Sequence, residues 1–457
     1  MHLTLETCLA VCRGELSPEV FLRSVHRHLV EVCAGCGREW RSASRVSGGI
    51  EPFPVRAAGG DDLEQRPLPE DPRLVRPGHL AARQRLLSRL LRERRDARAE
   101  LDKLLAETPA ARLRRFERAR RGLASAALAE MLVEASRERV RTDPADAESL
   151  AALVPRVLAR APGGGGEGWS IVLAARAEAH RANALRVAGD LRRAANVFAE
   201  LRAALAARPL PDRTAEAEIL SLEASLDFDR RDLTAAVELL DRALAHYRED
   251  RDAEGAARAS ILKAMALYAL NDPGAALAAL EEAAPGSDPE RDLYLATSAV
   301  AARVVFLCTL GRPAEAEAIV AGHRDLFARL DDEAAESTLH GLDGWVALGL
   351  GRLAEAETAF VTARDGFLAL GRDYDAILAS LALATVLLEA GKTRELRRLA
   401  AELVPTFRAR GVAREALAAL RLFAQATAAD ELTRELLDRL RVRLETAAPS
   451  AAAPAGV

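Results

Sequence analysis

The chain has 457 residues, half of them apolar but only 4% aromatic, and a formal net charge of −4. That length allows several domains or one long repeat array. A core built from Ala, Leu and Val suits close helix packing rather than a β-sandwich, and the near-neutral balance excludes a chain-wide polyanion binder.

No apolar run approaches the roughly 18 residues that span a membrane. The opening MHLTLETCLAVCRGEL lacks the basic segment and apolar stretch of a secretory signal. A cytoplasmic protein with reduced thiols is therefore expected, and there clustered Cys and His read as a metal site rather than as disulfides.

Residues 1–40 read as two short helices. Thr4 suits the cap of the first, and Ser17-Pro18-Glu19 supplies an N-cap, a proline at N1 and a first-turn acid for the second. His28, Cys33 and Cys36 then fall within nine positions. Cys-x-x-Cys lets two thiolates converge on a zinc ion, and a His on the preceding helix adds a third ligand. If the helix ran through Cys33, the five-residue offset would place His28 roughly 140° away around the axis, so it must end at residues 30–32. The competing reading is a small helical domain with His28 solvated and both thiols packed.

Residues 41–75 carry Ser, Gly and Pro clusters without a sustained period and read as a flexible linker. Residues 76–162 read as N-terminal helices: one over about 79–107, interrupted by Pro109, then 112–141 and 145–160 around the turn Thr142-Asp143-Pro144. From Arg73 to Arg121 there are sixteen basic and six acidic residues. The arginines interleave with Glu93, Asp96, Glu100 and Asp102, and no aromatic platform is present. A solvated helix face is expected there rather than a nucleic-acid surface. A Gly-rich break follows at 163–168.

Residues 169–430 repeat. The turn pairs Arg231-Asp232, Asn271-Asp272, Gly311-Arg312, Gly351-Arg352 and Gly391-Lys392 recur every 40 residues, and Gly189-Asp190 precedes them. Seven positions before each turn stands a mostly small residue: Ala182, Ala224, Ala264, Val304, Gly344, Ala384. Nine positions after it stand Phe198, Leu240, Leu280, Val320, Phe360 and Ala400. Small residues allow the two helices of a hairpin to cross closely, and a bulky one fills the groove towards the next hairpin. The expected fold is all-α: a right-handed α-solenoid of helical hairpins with a period near 40, preceded by the small zinc-knuckle domain. A C-terminal helix at 431–446 and a disordered Ala/Pro-rich tail at 447–457 complete the chain.

Positions six and three before each turn point towards the concave groove of such a solenoid. Met265, Tyr268, Val305, Cys308, Trp345 and Leu348 make that groove apolar and suited to an amphipathic helix or extended peptide; the alternative is that a shifted register buries them. Cys308 reads as a small packing residue rather than a nucleophile. His180, His246, His323 and His340 lie in different repeats with no repeated carboxylate or nucleophile partner. There is no HExxH, GxxxxGK[ST] or GxSxG, so a non-enzymatic interaction protein is expected.

Two resemblances add to this. The stretches AEAHRANALRVAGDLRRAANVFAEL (177–201) and GWVALGLGRLAEAETAFVTA (344–363) resemble the tetratricopeptide repeat (TPR), although a period of 40 exceeds its usual 34. His2, Gly14-Glu15-Leu16-Ser17-Pro18-Glu19, His28-Leu29 and Cys33-x-x-Cys36 resemble the zinc-binding anti-sigma factor domain. In this chain four residues separate His28 from Cys33, where that family usually has three. The second resemblance implies a structural zinc held by His2, His28, Cys33 and Cys36, with Cys8 as the alternate fourth ligand. It also implies regulation through a sigma factor or another transcription regulator. A scaffold or assembly factor using only the solenoid groove is the competing expectation.

Overall fold

The computed structural model describes residue 93 and residues 95–445, apart from 119–124, 161–165, 251, 284–288, 291, 331 and 410–413. The zinc-knuckle residues His2, Cys8, His28, Cys33 and Cys36, the linker at 41–75 and the tail at 447–457 lie outside the described residues. Within them every regular element is a helix. These are α1 (95–105), α2 (Pro109–Arg118), α3 (Ala126–Arg139), α4 (Pro144–Arg160), α5 (Gly166–Val187), α6 (Leu191–Ala207), α7 (Arg213–Asp229), α8 (Leu233–Glu249) and α9 (Ala253–Ala269). They continue with α10 (Pro273–Ala283), α11 (Leu293–Thr309), α12 (Pro313–Arg329), α13 (Glu333–Gly349), α14 (Leu353–Ala369), α15 (Asp373–Glu389), α16 (Thr393–Ala409), α17 (Arg414–Ala428) and α18 (Arg434–Glu445). No described helix is long and apolar enough to cross a membrane.

Boundaries differ from expectation in two places. The single helix expected over 112–141 is two, α2 and α3. Ser125 starts the second as its N-cap, the hydroxyl accepting from Leu128 N at 3.0 Å. Gly166–Gly168, expected in the Gly-rich break, form the first turn of α5.

Each repeat turn has one backbone form. Its first residue is left-handed, with φ between 66° and 84° at Gly189, Arg231, Asn271, Gly311, Gly351 and Gly391. The next amide reaches back to close the helix, as in Asp190 N to Leu185 O (2.9 Å), Arg352 N to Ala347 O (2.8 Å) and Lys392 N to Leu387 O (2.9 Å). This is the Schellman arrangement, which explains why Gly fills four of the six positions. In the early repeats the second turn residue also caps the following helix: Asp190 accepts from Arg193 N (3.0 Å), Asp232 from Ala235 N (3.3 Å) and Asp272 from Ala275 N (2.9 Å).

The chain divides into two compact units, Met1–Ile219 with His246–Asp252, and Leu220–Ala245 with Ala253–Val457. The boundary runs through α7 and α8. In the first unit α3 to α6 pack each on the next, and α3 also touches α5. One core joins Leu101 and Leu104 of α1 and Phe116 of α2 to Leu132 of α3, Leu150 of α4 and Leu173 of α5. Arg112 belongs to the basic stretch expected to be solvated, yet it is buried. It donates to Leu104 O (2.6 Å) and Ser149 Oγ (2.9 Å) and pairs with Asp146. Burial without those acceptors would be prohibitive for a guanidinium.

In the second unit α9 to α18 stack in order, and successive first helices α9, α11, α13 and α15 also touch one another. Both sequence columns are buried throughout. Their pairing is tighter than expected. A Cβ built on Gly344 would lie 2.7–2.9 Å from ring carbons of Phe360. The bulky residue therefore fills the notch left by the small residue of its own hairpin, because glycine there lets the ring lie against the helix backbone. The architecture is an α-solenoid of the TPR-like helical-repeat class.

Candidate partner groove

The six predicted groove residues lie on the first helices of three consecutive hairpins of the second unit: Met265 and Tyr268 on α9, Val305 and Cys308 on α11, Trp345 and Leu348 on α13. None is fully exposed. Tyr268 and Leu348 are buried, and the other four are half-buried. Leu348 belongs to the C-terminal core, and Val305 and Cys308 pack against the neighbouring one. Burial pushes the Cys308 thiol up to about 11, which disfavours the thiolate at neutral pH.

Tyr268 and Trp345 carry the distinctive geometry. Each is fixed by an aromatic neighbour: Tyr268 stacks on Phe306 with centroids 4.7 Å apart, and Trp345 meets Phe360 edge-on at 5.5 Å. Between them lies a side chain that the repeat pattern did not anticipate, Arg441 of α18. Its guanidinium carbon is 4.6 Å from the Trp345 ring centroid and 5.6 Å from that of Tyr268, within cation–π range of both. Arg441 Nη2 donates to Tyr268 Oη at 2.7 Å, and that oxygen lies 3.2 Å from Thr309 Oγ1. Arg441 is only 6% exposed. The helix that delivers it packs on α15 and α17 and buries Leu437 and Leu440 beside it. Arg441 of α18 thus covers part of two of the six residues, Tyr268 and Trp345.

The first unit has a different inner chemistry. Arg176 of α5 donates through Nε to Glu218 Oε2 at 2.6 Å, and through Nη2 to Glu218 Oε1 at 3.2 Å and to Glu134 Oε1 of α3 at 2.9 Å. His180 Nε2 lies 3.0 Å from Glu218 Oε1. No repeated carboxylate accompanies His180 in the sequence; the fold supplies a single one from the following first helix, 38 residues on. Burial acts to raise the Glu218 carboxyl, but the Arg176 charge and the bond from His180 outweigh it and hold Glu218 well below the usual carboxylate range. One turn further along α5, Arg186 Nε donates to Asn183 Oδ1 at 2.9 Å. These groups occupy one another and form a structural polar seam. Among the described residues no group of three or more His, Cys, Asp or Glu is arranged to hold a metal ion.

No protein-family model matches the sequence, and no curated protein matches it significantly. Solved structures do match in fold. A Rap protein crystallised in complex with Competence and Sporulation Factor is similar at a TM-score of 0.54 and 12% identity, over 69% of this chain and 85% of that one. The apo form of RapI is similar at 0.50 and 13%, over 68% and 85%. At such identities the likeness extends to the α-solenoid fold alone.

Proposed function

We propose that the chain is a non-enzymatic, cytoplasmic interaction protein whose second unit binds a peptide or protein segment along its inner row of first helices. The observation that carries this reading is the convergence of Trp345 and Tyr268 on one guanidinium. Two aromatic residues from separate hairpins, each fixed by another ring, form a site that already accommodates a side chain from a third element, α18. Aromatic anchors in partly desolvated pockets are the usual carriers of binding energy in peptide recognition. The Rap protein of similar fold was crystallised with Competence and Sporulation Factor, which supports a bound partner as a use of this architecture.

Selection of a displayed dodecapeptide library on the full chain tests the reading. Enriched sequences should bind the wild-type chain and lose at least tenfold in affinity when Tyr268→Ala and Trp345→Ala are combined. A selection that enriches nothing, or binding indifferent to both changes, would count against the groove.

We further propose that residues 1–40 bind one structural zinc through His2, His28, Cys33 and Cys36, Cys8 being the alternate fourth ligand, and that this end engages a sigma factor or other transcription regulator. The support is the ligand spacing and its resemblance to anti-sigma domains. Plasma mass spectrometry of the chain purified without chelator should find one zinc per chain, lost in Cys33→Ser/Cys36→Ser. A chain without metal would leave the thiols as packing residues.

A further inference from the structure

We propose that α18 is the groove's built-in occupant, and that an incoming partner segment displaces it by seating its own arginine or lysine between Trp345 and Tyr268 with two leucine-like side chains alongside. The proposal rests on the groove reading above and specifies the partner: a cationic amphipathic helix.

The helix itself is the template. Its sequence is RELLDRLRVRLE, residues Arg434–Glu445. Leu437, Leu440 and Arg441 are its buried residues among those whose side chains are described. Their spacing of three and four puts them on one stripe, the pattern by which a helix docks in a groove. The opposite side, including Glu435 and Arg439, is exposed. Twelve residues make a marginal helix in isolation, so α18 stays ordered through what that stripe touches. Arg441 reaches a tyrosine 173 residues earlier in the chain, and both rings that hold it come from the inner row rather than from the adjacent hairpin. A plain end cap needs only the last hairpin, to cover its apolar face. α18 does that with Leu437 and Leu440, and Arg441 does something more. Its cation lies on faces that would accept any other cation of similar shape, and so it competes with one.

The test uses the full chain carrying Trp40→Phe and Trp169→Phe, which leaves Trp345 as the sole indole of the three in the sequence. The probe is a fluorescein-labelled peptide RELLDRLRVRLE. Arg441→Ala should raise acrylamide quenching of Trp345 at least twofold. It should also let the chain bind the probe at least tenfold more tightly than the unaltered groove does. A probe with alanine in place of the arginine equivalent to Arg441 should lose that gain, and Arg441→Lys in the chain should restore shielding. Should Arg441→Ala melt the C-terminal hairpins by circular dichroism, Arg441→Gln keeps the side-chain stem and carries the same comparison.

Unchanged quenching, or probe binding that is equal for both chains or absent from both, would show α18 to be a fixed cap and overturn the proposal. The peptide-library selection is read independently. Enriched sequences that bind through Tyr268 and Trp345 without a cation would keep the groove and discard this occupant. A selection that enriches nothing would discard the groove itself.

Discussion

Arg176→Met is expected to destabilise the first unit by roughly 3–5 kcal/mol at pH 7, the cost of removing one partner from a buried ion network. Methionine keeps most of the length and packing of the arginine stem, so the loss is electrostatic. The Glu218 carboxylate, with only 14% of its side chain exposed, would lose the cation that donates two hydrogen bonds to it. Glu134 would lose the same partner. The sign of the pH dependence follows from the direction of the Glu218 shift. Its folded pKa is depressed below the ordinary 4.5, so its stabilising contribution is fully present above that value and is lost as pH falls through the folded value. The gap between wild type and Arg176→Met should therefore be widest above pH 5 and narrow as the solution is acidified below about 4.5. Adding Glu218→Leu should recover part of the loss, since a buried pair replaced as a whole costs far less than a pair that is broken. Urea unfolding followed by amide exchange in α3 and α5 measures all three. A gap that stayed constant from pH 7 to pH 3 would assign the effect to packing.

Most of the fold is legible in the sequence because its determinants are local and repeated. A left-handed residue closing a helix, a small residue seven positions before it and a bulky one nine after are each read from single columns. Their physical causes, the Schellman turn and the notch and ring of a hairpin, act within about 20 residues. The aspartates at 212, 252, 292 and 332 recur with the same 40-residue period. Three of them cap the next hairpin, accepting from Ala215 N, Leu295 N and Ala334 N.

The site is less legible for the opposite reason. Helical spacing in RELLDRLRVRLE puts Arg441 on the stripe of Leu437 and Leu440, but nothing there says what the stripe meets, and its meaning depends on rings far back in the chain. His180 and Glu218 likewise become partners only when neighbouring first helices are laid side by side. Sequence periodicity puts Tyr268 and Trp345 on the first helices of separate hairpins. It could not show that one guanidinium from α18 lies on both rings, because that contact is a property of superhelical stacking rather than of any one repeat.

The hairpin that presents Trp345 offers the sharpest check on that stacking. Phe360→Ala should cost about 3–5 kcal/mol, the range for truncating a buried phenylalanine. Phe360 is 1% exposed, and the residue beneath its ring, Gly344, has no side chain with which to fill the void. Gly344→Ala in the wild-type chain should also destabilise, by about 1–3 kcal/mol, despite alanine's better helix propensity, since the new methyl would meet Phe360 at 2.7–2.9 Å. The two changes together should cost less than Phe360→Ala alone. With the ring gone the clash disappears, the methyl occupies part of the void, and the propensity gain of about 1 kcal/mol remains. A substitution that harms the native chain and helps the mutant is the signature of a small–large pair in direct contact. The same cycle reports on the groove, because Trp345 leans edge-on against Phe360 at 5.5 Å. Loss of Phe360 should free the indole and raise its acrylamide quenching even where the fold survives. Additive stability effects across the four proteins would mean that the ring and the glycine do not share the notch, and that the hairpin holds Trp345 by some other contact.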